Sequence, residues 1–375
     1  MNIVKATKKY EQWLAHYLHI VEHDLTLKHE RMAESPFSFL RGTFYRWAQV
    51  FPQVCAGLQH VPRILSVGDL HVENFGTWRD ADGRLVWGIN DFDETCIYPY
   101  TMDLVRLAAS ALLATQEQRL AMKAKDAVNA ILTGYQSAME QRGRPFVLEE
   151  DHAWLREIAL NKLRDPVLFW KKIQGLPEVV GEVPESAREA LEYMLPQPGI
   201  PYRLISRIAG MGSLGRVRIV ALSQWKGGLV AREAKALAPS AAHWADSSLP
   251  REIFYGAILH RAVRCPDPYV QLRGHWIVRR LSPHCSRIEL EALDKARGEL
   301  RLLEAMGWET ANVHAGTEEQ CRPILKDLDK RKPNWLLKAA AAMAEVVGQE
   351  WQEWRERWQR KAASYGRSKS SLPAP

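Results

Sequence analysis

Hydrophobic and polar positions repeat with two different periods along this chain. From Ile3 to about residue 30 the apolar side chains fall at helical spacing, and a helix is predicted there. Residues 31–48, RMAESPFSFLRGTFYRWA, predict a proline-broken turn followed by an aromatic-rich helix. Ile64 to Val67 is a short apolar run that leads into GDLHVENFGTW. Two strand-like runs follow, joined by Asp80-Ala81-Asp82-Gly83, a hairpin turn with glycine placed for positive φ. The second run, Leu85 to Ile89, delivers Asn90-Asp91-Phe92-Asp93.

At Thr101, a suitable N-cap, the period becomes helical again, with Leu104, Leu107, Ala108 and Ala111 on one face. Helical patterning lasts to about residue 195, and the prolines of 176–201 mark a connection or boundary. Strands are expected at Arg203 to Ile208, Arg216 to Leu222 and Leu229 to Glu233, the last after the turn Lys226-Gly227-Gly228. Residues 251–264 read as a helix and 269–281 as two short strands about Arg273-Gly274. The stretch 289–361 reads as helical, and a disordered tail is expected from 363.

Composition narrows the class without naming it. The 375 residues are 46% apolar and 25% charged, as in ordinary globular chains, and no apolar run approaches the ~20 residues of a membrane span. The charged start and five scattered cysteines with no zinc-type spacing fit a reduced, cytoplasmic setting. The net charge of +7 is unevenly placed, because residues 351–375 hold six basic and two acidic side chains. The remaining body is close to neutral, which argues against an extended nucleic-acid surface. Trp351, Trp354 and Trp358 share one face of that basic terminal helix; docking on the body is the commoner use of such a face, base stacking the rarer one.

The chemistry lies in three segments. In GDLHVEN, Asp69 and Asn74 are five residues apart, and Asp91 ends the following hairpin in NDFDE. Phosphoryl transfer needs this set: one carboxylate to orient a hydroxyl, and an amide oxygen and a second carboxylate to hold magnesium, with Asp93 as a further ligand or a cap. Gly210, Gly212 and Gly215 spell GxGxxG, extended by Val217. A dinucleotide fold would start a helix at the third glycine, whereas an alternating β pattern follows here, as in kinase-type loops over ATP phosphates. Ser213 belongs to the same loop.

GDLHVEN resembles the catalytic loop of aminoglycoside phosphotransferases, NDFDET their metal-binding motif, and YTMDLVRLAAS the following helix, whose Asp103 is then implied to brace the catalytic loop. More closely, RMAESPFSFLRGT, GDLHVENFG, NDFDET, the glycine loop, VAREA, WIVRRL and GWETANVHA resemble, in this order and over about residues 28 to 350, the bacterial family called domain of unknown function 2252. The resemblance implies a protein-kinase-like two-lobe α+β fold, circularly permuted, because the catalytic loop precedes the glycine loop. A mainly helical lobe would comprise residues 1–200 and 286–362. A small antiparallel β nucleotide lobe would comprise 201–285, and the disordered tail 363–375.

On this reading the chain is an ATP- and Mg2+-dependent phosphotransferase acting on a hydroxyl of a small molecule or protein, with Asp69 as base and Asn74, Asp91 and Asp93 on the metal. Gly210, Gly212, Ser213 and Gly215 would hold phosphates, and Arg232 would act as clamp. Two departures stand out. In VAREA, Arg232 occupies the place expected of the phosphate-binding lysine, with Lys235 as a substitute on the other face; Arg for Lys is not conservative. Val67 replaces the histidine that aminoglycoside phosphotransferases carry before GD. Arg41 could meet phosphate or pair a carboxylate, His71 could contact substrate or pack, and Glu252 or the neighbouring Glu233 could pair with Arg232. A nucleotide-binding pseudokinase and an adenylyl transferase remain alternatives, while a metal phosphoesterase would need a further metal cluster that the sequence lacks.

Overall fold

The computed structural model describes residues 1–161, 165–285 and 297–370, which form a mixed α+β chain with three antiparallel sheets. It opens with α1 (Ile3–Leu14), α2 (Glu22–Glu34), α3 (Pro36–Gly42) and α4 (Phe44–Val54). The caps follow local chemistry: the Asn2 side chain accepts from Lys5 N, and Ser35 ends α2 in an extended conformation while accepting from Ser38 N to start α3 at Pro36. The helix expected over 3–30 is therefore two. Its break is used for a long-range contact, since Ile20 pairs with Arg216 and Val21 N donates to Gly215 O.

β1 (Arg63–Ser66) pairs with β4 (Cys96–Pro99), and β2 (Phe75–Arg79) forms the expected hairpin with β3 (Leu85–Ile89), extended by β5 (Phe146–Val147). Asp80 holds the hairpin turn by accepting from Asp82 N and Arg84 N, and Gly83 takes φ +78°. α5 (Tyr100–Gln116) is buried on all sides through Ala114. Thr101 is not its cap; the helix starts at Tyr100 behind Pro99, and the Thr101 hydroxyl donates to Leu58 O.

α6 (Ala124–Glu140), α7 (Ala153–Asn161), α8 (Pro166–Gln174) and α9 (Glu185–Tyr193) follow. α9 lies inside the proline-rich stretch expected to be a connection, and it packs on the sheet through Trp276 Nε1 and Ser186 Oγ. That sheet is built from β6 (Tyr202–Ser206), β7 (Arg218–Trp225), β8 (Gly228–Ala236), β9 (Val270–Arg273) and β10 (Trp276–Leu281) in the order β6-β7-β8-β10-β9. Lys226 and Gly227 both have positive φ, which closes β7 onto β8 with a two-residue turn. α10 (Ala241–Ala245) and α11 (Tyr255–Arg261) lie between β8 and β9.

α12 (Arg297–His314), α13 (Glu318–Leu328) and α14 (Trp335–Ser370) complete the helical body. α12 crosses α6 so closely that a Cβ on Gly134 would overlap Glu304 O and one on Gly307 would overlap Ile131 O. α14 docks on α2: Trp351 Nε1 donates to Ala33 O and Trp354 Nε1 to His29 O, as expected for a docking face. It runs through Ser370, into the stretch read as a tail, and residues 371–375 lie outside the described residues. Among the described residues no helix is long and apolar enough to cross a membrane.

Candidate active site

The segment 67–74 is fixed from below by α5. Asp103 accepts from Val67 N (2.6 Å) and Gly68 N (2.9 Å), and it meets His314 Nε2 at 3.0 Å, whose Nδ1 is 2.8 Å from Tyr135 Oη. One helical turn on, Arg106 reaches Asp69, with Nε 3.0 Å from Oδ1 and Nη2 on the same oxygen; Nη2 also donates to Leu40 O. A further turn on, Ser110 Oγ accepts from Val72 N. The three side chains share a face through their i, i+3 and i+4 spacing. Arg106 is fully buried and its guanidinium lies 5.2 Å and 4.9 Å from the ring centroids of Phe44 and Trp47. Gly68 has φ +86°, and a Cβ there would overlap Glu94 O, so the bend before Asp69 needs glycine. Burial raises the Asp69 carboxyl above the usual range, against the lowering pull of Arg106.

The loop then folds on itself. Asn74 Oδ1 accepts from His71 N at 2.8 Å, and Asn74 O takes Asn90 N, which ties GDLHVEN to the start of NDFDE. Asp91 and Asp93 meet Lys235 of β8, whose Nζ is 2.5 Å from Asp93 Oδ1 and 3.6 Å from Asp91 Oδ1. Burial, then the neighbouring Asp91, raises the Asp93 carboxyl, and burial lowers the Lys235 ammonium. Arg216 lies 3.7 Å from Asp93 Oδ2 and 2.7 Å from Glu94 Oε1, while Glu94 also accepts from Ala241 N.

The glycine loop closes the site from above. Gly210 and Gly215 have φ of +78° and +91°. A Cβ on Gly212 would stand 3.1 Å from Asp69 Oδ2 and 3.3 Å from Arg41 O, so bare backbone rests on the carboxylate. Lys28 of α2 donates to Gly212 O at 3.2 Å, and Arg218 donates to Ser213 Oγ at 2.8 Å. Burial lowers the Lys28 ammonium to about 8. One cavity is lined by Asp69, Asn74, Asp91, Asp93, Gly210, Gly212 and Ser213 together. Its interior room is about 40 Å3, enough for a few waters.

Gly215 lies at the end of that loop against Leu25 of α2. Arg232 is not brought to the cavity. Strand alternation puts it on the sheet face opposite Glu233 and Lys235, where Nε donates to Met194 O, Nη1 to Ala231 O, and the guanidinium lies over Tyr269. The strand cation beside the carboxylates is Lys235. Glu252 precedes α11 and is exposed, and Glu233 pairs with Arg207, Arg218 and Arg279 rather than with Arg232. Arg41 pairs with Glu73 at 2.6 Å while lining the cavity, and His71, which also lines it, accepts from Glu73 N through Nδ1.

Sequence reasoning passed over Arg106 and Lys28. The signal for Arg106 was a single cation inside an otherwise apolar helical run, three residues after Asp103. Nothing local marks Lys28, whose partner is 184 residues away.

Among the described residues no three His, Cys, Asp or Glu side chains converge as a metal cage. The oxygen donors Asn74, Asp91 and Asp93 nevertheless share one cavity, which fits a hard cation that takes one or two carboxylates and completes its shell from phosphate and water.

Residues 20–168 match the family model described as an uncharacterized protein conserved in bacteria, domain of unknown function 2252 (DUF2252), which supports the resemblance read from the motifs. The match takes in the GDLHVEN and NDFDET segments and the helix α5 behind them. No curated protein and no solved structure matches the chain.

Proposed function

We propose that this chain is an ATP- and magnesium-dependent phosphotransferase acting on a hydroxyl of a small molecule or protein, built on a circularly permuted kinase-like plan. The observation that carries the reading is the meeting of Asp69, Asn74, Asp91 and Asp93 with a glycine loop about 140 residues away, in one cavity. Support also comes from the sheet. The glycine loop joins its first two strands, and the third bears Lys235, the placing of loop and lysine used by protein kinases.

In this reading Asp69 Oδ2 takes the acceptor's hydroxyl proton. Arg106 holds Oδ1, fixing the carboxylate's direction and pulling against the upward push of burial. Asn74, Asp91 and Asp93 would hold magnesium, which when bound neutralises charge on the phosphate oxygens. Lys235 supplies a second positive charge to those oxygens, and backbone N–H groups of the glycine loop add donors. Gly212 must lift from Asp69 for the phosphates to enter, because the closed cavity has room only for a few waters.

The test is thermal shift with ATP in the presence and absence of magnesium, followed by ATP consumption across an acceptor library. Asp91→Asn should abolish the magnesium-dependent part of binding. Asp69→Asn should spare binding and remove turnover, and equal loss in both would contradict the roles. The close seating of Gly212 on Asp69 favours, as a second reading, a nucleotide-binding regulatory module; wild type that binds ATP with magnesium yet consumes none with any acceptor would select it.

A further inference from the structure

Asn90 and Phe92 alternate with Asp91 and Asp93 along NDFDE, so the segment that offers two carboxylates to the first cavity turns an amide and a phenyl ring into a second. This second cavity, about 90 Å3, lies between the β2–β3 hairpin, α11 and the β9–β10 edge of the sheet. Its walls include Trp78, Phe92 and Tyr255, with Arg264, Arg279 and Arg280 set against Asp267, the single carboxylate among its described lining residues.

Arg264 is the unusual member. Its guanidinium is sandwiched 4.6 Å from the Trp78 ring and 5.1 Å from that of Phe92, and its Nε and Nη1 are buried with no hydrogen bond among the described residues. Arg280 Nε is likewise buried without a hydrogen bond among the described residues, although Nη2 donates to Arg79 O and lies 3.5 Å from Asp267, and the guanidinium also bears on Cys285. Among the described residues Arg264 makes no ion pair; Glu309, whose carboxyl burial lifts to about 7, and Asp267 pull on it from farther off. Buried guanidinium donors left unmade are rare and costly, and here they flank one cavity that also offers aromatic surface.

We propose that this cavity binds a small organic carboxylate, its oxygens taken by Arg264 and Arg280 and its apolar body by Trp78, Phe92 and Tyr255. Two oxygens suit the few free N–H groups, whereas inorganic phosphate would bring four and leave the aromatic walls uncovered. The room equals roughly seven waters, which fits an acid of benzoate or isovalerate size. The proposal stands apart from the phosphotransferase reading, but the shared wall means that an occupant touching Phe92 also bears on the loop carrying Asp91 and Asp93.

Calorimetric titration of the full chain with benzoate and with isovalerate tests it, with benzyl alcohol and inorganic phosphate as controls. Both acids should bind saturably and compete with each other, and the alcohol should not bind at the same concentrations. Arg264→Gln should weaken the acids at least tenfold with the fold retained by circular dichroism, whereas Asp91→Asn should leave them bound, which separates this site from the magnesium-dependent one. If Arg264→Gln fails to fold, Leu259→Trp, which fills the cavity from α11, must block both acids. The proposal is overturned if neither acid binds saturably, if the alcohol binds as well, if phosphate binds as tightly, or if whichever variant folds binds the acids unchanged.

Discussion

The floor and the roof of the first cavity are held by different means. Segment 67–74 is pinned by Asp103, Arg106 and Ser110, three buried polar side chains of one buried helix, each bonded to the loop itself. The glycine loop is held by one lysine to a carbonyl, one arginine to a hydroxyl, and a short bridge between the α1–α2 break and residues 215–216. Breaking a floor contact strands buried N–H groups or an unpaired buried charge; the roof's side-chain bonds are buried as well, but each ties down only a single group of the loop. The site therefore combines a floor pinned at three points of one helix with a cover tied by single bonds from separate elements.

The largest effect is expected at the floor. Asp103→Ala removes the acceptor of Val67 N and Gly68 N and the partner of His314, and should lower unfolding free energy by about 3–5 kcal/mol in denaturant titration. A loss below about 1 kcal/mol would mean the floor is not pinned by α5.

The two faces of β8 offer the next contrast. Lys235→Met should weaken magnesium–nucleotide binding by about 1.5–3 kcal/mol, the range for hydrogen bonds to charged groups. Arg232→Met should leave nucleotide binding within about 0.5 kcal/mol and reduce stability instead, because Met194 O and Ala231 O lose their donor. Reversal of that order in a side-by-side titration would restore Arg232 as the clamp.

The smallest effect belongs to the roof. Lys28→Met should cost no more than about 1 kcal/mol of stability, yet it should speed nucleotide association in stopped-flow mixing. Because the folded-state value of about 8 lies below the ordinary lysine value, the unfolded chain binds the extra proton over this range, so the Lys28 contribution to stability grows as pH rises from about 8 to 10. The difference between wild type and Lys28→Met, measured at both pH values, should show that rise.

Much of the floor was legible because its chemistry is local: the turn at Asp80–Gly83, the five-residue step from Asp69 to Asn74 and the strand that presents Asp91 are contiguous patterns. Which strand cation faces the carboxylates was illegible for a different reason. Both Arg232 and Lys235 fit a β pattern, and only pairing with β7 and β10 determines which face of β8 looks onto the carboxylates. The break between α1 and α2 escaped notice because it is made by residues 215–216, far along the chain. Arg106 escaped because a cation in an apolar helix is explained only by Asp69, which another segment delivers.

The glycine-to-glycine crossing of α6 and α12 has a consequence for the order in which the protein is made. Gly134 leaves the ribosome about 170 residues ahead of Gly307, and its close approach is to the backbone of α12 at Glu304. At about 5–20 residues per second, α6 waits roughly 9–35 seconds for the partner that helps bury its apolar stripe of Val128, Ile131 and Tyr135. His314, which completes the Asp103 brace, arrives at the end of the same helix. The nascent chain therefore holds every described lining residue of its cavity, from Tyr10 to Arg216, well before the floor beneath Asp69 is secured.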